Sequence, residues 1–229
     1  MAVSQLSSQT VGNQLLSFLP DKEYKRLLPF LKPVRLLKGK VILHGGDDIT
    51  HCYFPVSGMI SLLSTTPDGK TVQIGMIGRE GMIGVQVALE VNKTPCEVIV
   101  QIASDALRIQ TDNLLLQLRS SGSLQSVLLR YAHSVLCQTA QAVVCNRFHS
   151  IEQRFCGCLL ISRDRLKSNS FLLTQDLIAQ LLGVARCQVT IAASALQQKG
   201  LINYQRGRII ILDARGLEKF GCECFRADC

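Results

Sequence analysis

Glycine and proline divide this chain more sharply than charge or hydropathy does. Nine of the 17 glycines fall between residues 39 and 84, and neither residue type occurs from 123 to 156. Glycine weakens helices and supplies positive φ at turns, so the first stretch reads as short strands with tight corners and the second as an uninterrupted helix. ISLLSTT and TVQIGMI flank Pro67-Asp68-Gly69-Lys70, where proline presets φ and glycine accepts φ > 0, which predicts a β-hairpin. EVIVQIA, residues 97–103, is β-branched enough to be a further strand. The expected architecture of this part is an antiparallel roll.

The glycine-free stretch predicts a helix from about Leu124 to His149, roughly 39 Å long at the α-helical rise. Apolar pairs recur in it every seven positions: Leu128/Leu129, Val135/Leu136 and Ala142/Val143. Seven residues is the coiled-coil period, so Leu128, Leu129, Ala132, Val135, Leu136, Thr139, Ala142 and Val143 form a candidate dimer seam. Packing of the helix against its own roll is the alternative.

Composition narrows the class. With 229 residues, 47% of them apolar, the chain excludes disorder and favours two domains. No apolar run approaches the length of a membrane span, so no membrane partner is expected. The first twenty residues lack Lys, Arg and a continuous apolar core and do not read as a secretory signal. A cytoplasmic protein with its ten cysteines reduced is expected. The net charge of +8 is concentrated, because residues 163–208 carry seven basic side chains against Asp164 and Asp176.

That basic stretch contains LLTQDLIAQLLGVARCQVTIAASALQQKGLINYQRGRIII. Thr174 reads as an N-cap, Leu177, Ile178, Leu181 and Leu182 supply an apolar face, and Gly183 ends the helix. A second helix starts near Arg186. Val189, Ala193 and Leu196 point inward, leaving Arg186, Cys187, Thr190, Ile191 and Ser194 outward, while Ala192 and Ala193 permit a close crossing. Two helices joined by a short turn containing glycine make a helix-turn-helix, whose second helix enters the DNA major groove. Gly200 stops that helix, and the hairpin tipped by Arg206 and Arg208 reads as a wing.

The glycine-punctuated roll, the long helix and the LTQDLIAQLLGVARCQVTIAASALQQKGLI segment together resemble the Crp/Fnr family, named for the cyclic AMP receptor protein and the fumarate/nitrate reduction regulator. FPVSGMISLL and IGREGMIG carry the likeness in the roll. The resemblance implies an α+β protein with an N-terminal antiparallel β-roll (double-stranded β-helix) over residues 1–122, a dimerisation helix over 123–150 and a winged helix-turn-helix over 151–229. It implies a cytoplasmic homodimer on double-stranded DNA with a palindromic operator, with RNA polymerase as a further partner if it activates. Base contacts are then expected from Arg186, Cys187, Gln188, Thr190 and Ile191. Phosphate contacts are expected from Thr174, Gln175, Ser194, Lys199, Arg206 and Arg208. Arg186 matches the family arginine that reads guanine, whereas Cys187 replaces a glutamate and Ile191 an arginine, which shifts preference toward thymine methyls.

The family's signals do not carry over. Cyclic-nucleotide binders place a glutamate and an Arg-Ser or Arg-Thr pair in the roll; here Val85 and Gln86 follow Gly84, Thr94-Pro95-Cys96-Glu97 holds the phosphate position, and no arginine lies between Arg79 and Arg108. Cyclic AMP is therefore not expected. The iron–sulfur branch needs N-terminal cysteines, and the first one here is Cys52. His44, His51, Cys52, His133 and His149 offer no haem pattern beyond scattered histidines. Cys156 and Cys158 point about 200° apart on a helix and read as core. No cofactor and no metal site is expected, although Cys222, Cys224 and Cys229 leave open a thiol switch or loose zinc site, and Cys187 an oxidisable thiol on the reading helix. No catalytic spacing or phosphate loop stands out, so no enzyme is expected. The effector stays unassigned, and the competing class is a ligand-binding or scaffolding module whose helix-turn-helix contacts protein.

Overall fold

In a computed structural model the structure describes residues 12–226, which divide into two compact units: the residues up to Ser64 with Gly75–Val135, and Thr65–Ile74 with Leu136 onward. The first unit opens with α1 (Gln14–Ser17) and α2 (Asp21–Leu27). Seven strands follow: β1 (Lys32–Leu36), β2 (Val41–Leu43), β3 (His51–Pro55), β4 (Met59–Thr65), β5 (Thr71–Ile77), β6 (Glu97–Ile102) and β7 (Ser104–Gln110). They form two sheets, ordered β1-β7-β3 and β2-β6-β4-β5, with antiparallel registers. Phe54, Ile60 and Val100 are fully buried in their shared core. Then come α3 (Thr111–Arg119) and the long helix α4 (Gly122–Phe148).

The glycine corners behave as their chemistry requires. Gly69 has φ +84° and Thr66 N donates to Lys70 O at 2.9 Å, closing the expected hairpin turn. Gly58 has φ +73°, and a Cβ there would press into the Ala103 and Ile102 carbonyl oxygens, so β4 can start only from glycine. Asn13, fully buried, ties the N-terminal helices to the roll: its Nδ2 donates to Pro55 O and Gly81 O at 2.8 Å each, and its Oδ1 accepts from Leu16 N.

The long helix has 27 residues and starts two positions before the expected Leu124. Its first turn is capped from afar, since Glu23 Oε2 on α2 accepts from Leu124 N at 3.1 Å and from the Ser121 hydroxyl. One part of the expected seam is corrected: Leu128 and Ala132 are 1% and 6% exposed and packed within their own unit, so they are not available to a second chain. Leu129, Leu136 and Val143 carry the heptad outward and are 40%, 67% and 66% exposed, with Thr139 and Ala142 exposed beside them and Val135 half-buried.

In the second unit α5 (Ile151–Leu166) follows a reciprocal cap, in which Ser150 Oγ accepts from Gln153 N and Gln153 Oε1 from Ser150 N. Next come β8 (Ser170–Leu172), α6 (Gln175–Leu182), α7 (Arg186–Gln198), β9 (Ile202–Gln205), β10 (Arg208–Ile211) and α8 (Ala214–Phe220), with the strands ordered β8-β10-β9. Phe155, Leu159, Ile178, Val189, Leu196, Ile209 and Leu217 form a fully buried core. Cys156 and Cys158 are buried with them, as expected of core residues. No single described helix is long and apolar enough to cross a membrane.

Loss of the remote cap should be measurable. The Ser121 hydroxyl, with help from Ser123 and the Leu124 N–H, holds the Glu23 carboxyl below its usual range. Glu23→Ala should cost about 1 kcal/mol, the ordinary worth of a cap, in urea unfolding at neutral pH. A depressed folded pKa makes this contribution present above the unfolded value of about 4.3 and lost as pH falls through the folded one, so variant and parent should converge in acid.

Candidate nucleic-acid interface

Helix α6 begins where the Thr174 hydroxyl accepts from Leu177 N at 3.2 Å, and it ends at Gly183 with φ +63°. The chain turns through Val184 and Ala185 into α7, and the two helices meet at 103°, inside the roughly 90–120° of a helix-turn-helix. The tight crossing needs small residues at the contact, and Ala192 and Ala193 are 0% and 3% exposed. Val189 and Leu196 complete the inner stripe. Arg186, Cys187, Gln188, Thr190, Ile191 and Ser194 stand on the exposed face, with Ile191 66% exposed.

Arg186 is held at the junction of the two helices. Its Nε donates to Gln175 Oε1 at 3.4 Å and lies 3.5 Å from Asp176 Oδ1. Both contacts use the inner edge of the guanidinium, while the side chain stays 65% exposed. Thr190 Oγ1 donates to the same Gln175 oxygen at 3.1 Å. Two further polar side chains of this helix already have partners within the chain. Gln188 Oε1 accepts from Ala185 N at 3.1 Å, capping the start of α7 and holding the carboxamide near the helix end, with its NH2 group and a second lone pair still available. Lys199 sits with Nζ 4.8 Å from the centroid of the Phe220 ring and stays exposed, a cation–π contact that orients the ammonium and leaves its charge in place.

The wing is built on two positive φ angles, Arg206 at +49° and Gly207 at +77°, in a two-residue turn between β9 and β10. Leu173 N donates to Gly207 O at 2.8 Å and Tyr204 OH to Leu173 O at 3.0 Å, fastening the wing beside the start of α6. Burial pushes the Tyr204 phenol up, against the pull of nearby Arg186, and keeps it a donor. Arg206 is exposed at the tip, and Arg208 Nη1 donates to Ser170 Oγ at 3.2 Å. Strand β8, which supplies Ser170, is too short to be read from the sequence; the Ser150-x-x-Gln153 signature of α5 was there to be read.

A second cluster in this unit also escaped the sequence reading, which expected no metal. Cys145, His149, Cys222 and Cys224 bring their ligand atoms within 4.8 Å of one another. Cys229, grouped with the last two in sequence, lies outside the described residues. In the first unit Thr94 and Cys96 are buried, and Thr94 Oγ1 donates to Cys96 O at 3.0 Å. Glu97 Oε2 lies 3.3 Å from His44 Nδ1.

Comparison with known families matches residues 33–121 to the cyclic nucleotide-binding domain and residues 153–220 to the Crp-like helix-turn-helix domain, more than half of the chain together. Comparison with curated proteins finds no match. Among solved structures, FixK2 from Bradyrhizobium japonicum is similar at 14% identity and TM-score 0.73, over 84% of this chain and 98% of that one. TTHB099, a CRP-family transcriptional regulator from Thermus thermophilus, is similar at 16% identity and TM-score 0.69, over 82% and 95%. The c-di-GMP-responsive global regulator CLP of Xanthomonas campestris is similar at 14% and 0.64, over 85% and 100%.

Thiol accessibility tests the placement of this surface. Cys187 is exposed, whereas Cys52, Cys156 and Cys158 are buried and burial pushes each of their thiols up to about 12. A brief iodoacetamide pulse read by peptide mass spectrometry should label Cys187 well ahead of those three, which should react only after denaturation. Equal labelling would contradict the packing.

Proposed function

The chain belongs to the Crp/Fnr family of transcription regulators, and from that premise we propose that it acts as a homodimer placing paired α7 helices in the major grooves of a palindromic operator. The observation that carries this reading is the exposed face of α7, where a guanidinium held from behind stands beside Thr190 and Ile191. Arg186 reads a guanine through its outer nitrogens, and the Thr190 and Ile191 methyls meet thymine. Cys187 stands at a base-reading position without the acceptor that would demand cytosine. Each half-site therefore specifies few G·C pairs.

Phosphate contacts come from Arg206 and Arg208 on the wing, Ser194 on α7, the Gln175 amide and the N–H groups after Thr174. The dimer forms through α4, because Leu129, Leu136 and Val143 repeat at the coiled-coil period, remain uncovered within the chain and match a second copy of themselves. The roll senses something other than a cyclic nucleotide. The hydroxyl of Thr94 is turned to its own loop, Glu97 faces His44, and no arginine lies between Arg79 and Arg108. A scaffolding role for the helix-turn-helix is disfavoured by a face without aromatic or methionine residues from 172 to 200.

Genome-wide footprinting supplies the operator and transcript changes on deletion supply the sign of regulation. Titrations on that operator should show Arg186→Ala losing about 1–3 kcal/mol of discrimination at one guanine per half-site. Arg206→Ala with Arg208→Ala should weaken all sequences alike and reduce the salt slope by about 4, since the dimer carries both arginines on each of two wings. Unchanged base preference in Arg186→Ala would overturn the reading. Leu136→Glu with Val143→Glu should sediment as a monomer and bind a half-site no worse than the palindrome.

A further inference from the structure

We propose that Cys145, His149, Cys222 and Cys224 form a zinc(II) site of Cys3His type, binding the C-terminal end of α4 to the segment that follows α8. Four soft or borderline donors converge from two stretches of chain 77 residues apart. Cys145 and His149 stand one turn apart, with His149 N donating to Cys145 O at 3.1 Å, so both side chains leave one face of the helix end. Cys222 and Cys224 arrive from the other side as a Cys-x-Cys pair at the start of a short 3-10 helix, Glu223–Arg226.

Two of the separations match those between neighbouring ligands of a tetrahedral zinc ion. Zinc–sulfur and zinc–nitrogen bonds of about 2.3 and 2.0 Å place neighbouring ligand atoms roughly 3.5–3.8 Å apart. Cys145 Sγ lies 3.5 Å from Cys222 Sγ, and Cys224 Sγ lies 3.4 Å from His149 Nδ1. The whole set falls within 4.8 Å, so small rotations bring all four donors onto one ion. Three sulfurs and one imidazole suit zinc among common divalent ions and exclude magnesium and calcium, which take oxygen. On binding, each thiol releases its proton and the imidazole offers its neutral Nδ1.

Groups around the donors fit the same assignment. Gln141 Nε2 donates to Cys224 Sγ at 3.0 Å, a bond that fixes the direction of the sulfur. Glu223 Oε1 lies 3.7 Å from His149 Nε2, beyond hydrogen-bond length but close enough for a small rotation to give that ring nitrogen a carboxylate partner. Cys222 is 3% exposed and the other three ligands are half-buried, so the site is shielded but reachable. A redox pair would need only Cys145 and Cys222; the histidine and its carboxylate have no part in a disulfide. Metal loading would pin the end of the long helix within the unit that carries α7, independently of whether that helix reads DNA.

The test uses the full-length protein, purified with reductant under argon and supplied with zinc. One zinc per chain is expected by elemental mass spectrometry, resisting gel filtration. Replacement by cobalt(II) in the unaltered chain should give tetrahedral d–d bands and thiolate-to-cobalt charge transfer of a strength matching three sulfurs. Cys224→Ser and His149→Ala should lose zinc retention, Gln141→Ala should bind it about tenfold more weakly, and Cys187→Ser should retain it. Substoichiometric zinc in the reduced chain, a cobalt spectrum without thiolate charge transfer, or a Cys145–Cys222 disulfide in protein kept under reductant would each overturn the proposal. Because the cobalt spectrum needs no mutation, a variant that fails to fold does not decide the outcome, and operator binding, read separately, stands or falls alone.

Discussion

The burial of one stripe of α7 is the interaction on which the functional surface depends. Val189, Ala192, Ala193 and Leu196 are at most 3% exposed, and once they are taken into the core the helix has no rotational freedom left. Arg186, Thr190, Ile191 and Ser194 are then outward by geometry alone, since a helix presents opposite faces at fixed angular intervals. The buried alanines let α7 pack closely on its neighbours, and Gln175 of α6 lies under Arg186 and Thr190. Arg186 is thus positioned by packing on the far side of its own helix.

The long helix α4 serves different neighbours along its length. Near its start Leu124, Leu128 and Ala132 are consumed by the first unit, and Glu23 caps it from α2. Farther along, Leu129, Leu136 and Val143 remain uncovered, and at its end Cys145 and His149 meet the C-terminal segment. A seven-residue repeat in a straight helix drifts by about 20° per heptad, so the pairs that look equivalent in sequence face different neighbours. The residue at the first position of each pair turns inward early in the helix, while the second keeps facing out.

Legibility followed the range of the interactions. The hairpin around Gly69, the cap at Thr174, the stop at Gly183 and the wing turn at Arg206-Gly207 are each set by residues within a few positions of one another, and all were readable. Strand β8 is three residues long and exists because β10 pairs with it; nothing in Ser170-Phe171-Leu172 announces that. Gln188 also meets Ala185 N, and Lys199 the Phe220 ring, contacts that only the folded chain reveals.

By itself the sequence determined the roll, the long helix, the winged helix-turn-helix and the outward placing of Arg186, because periodicity, glycine chemistry and capping act over one or two turns of chain. The tertiary structure alone decided which half of the α4 stripe is free, which polar groups on α7 are already engaged, and that Cys145 and His149 meet Cys222 and Cys224 at one point. Those outcomes depend on segments 77 residues apart arriving within bonding distance, which local chemistry does not encode.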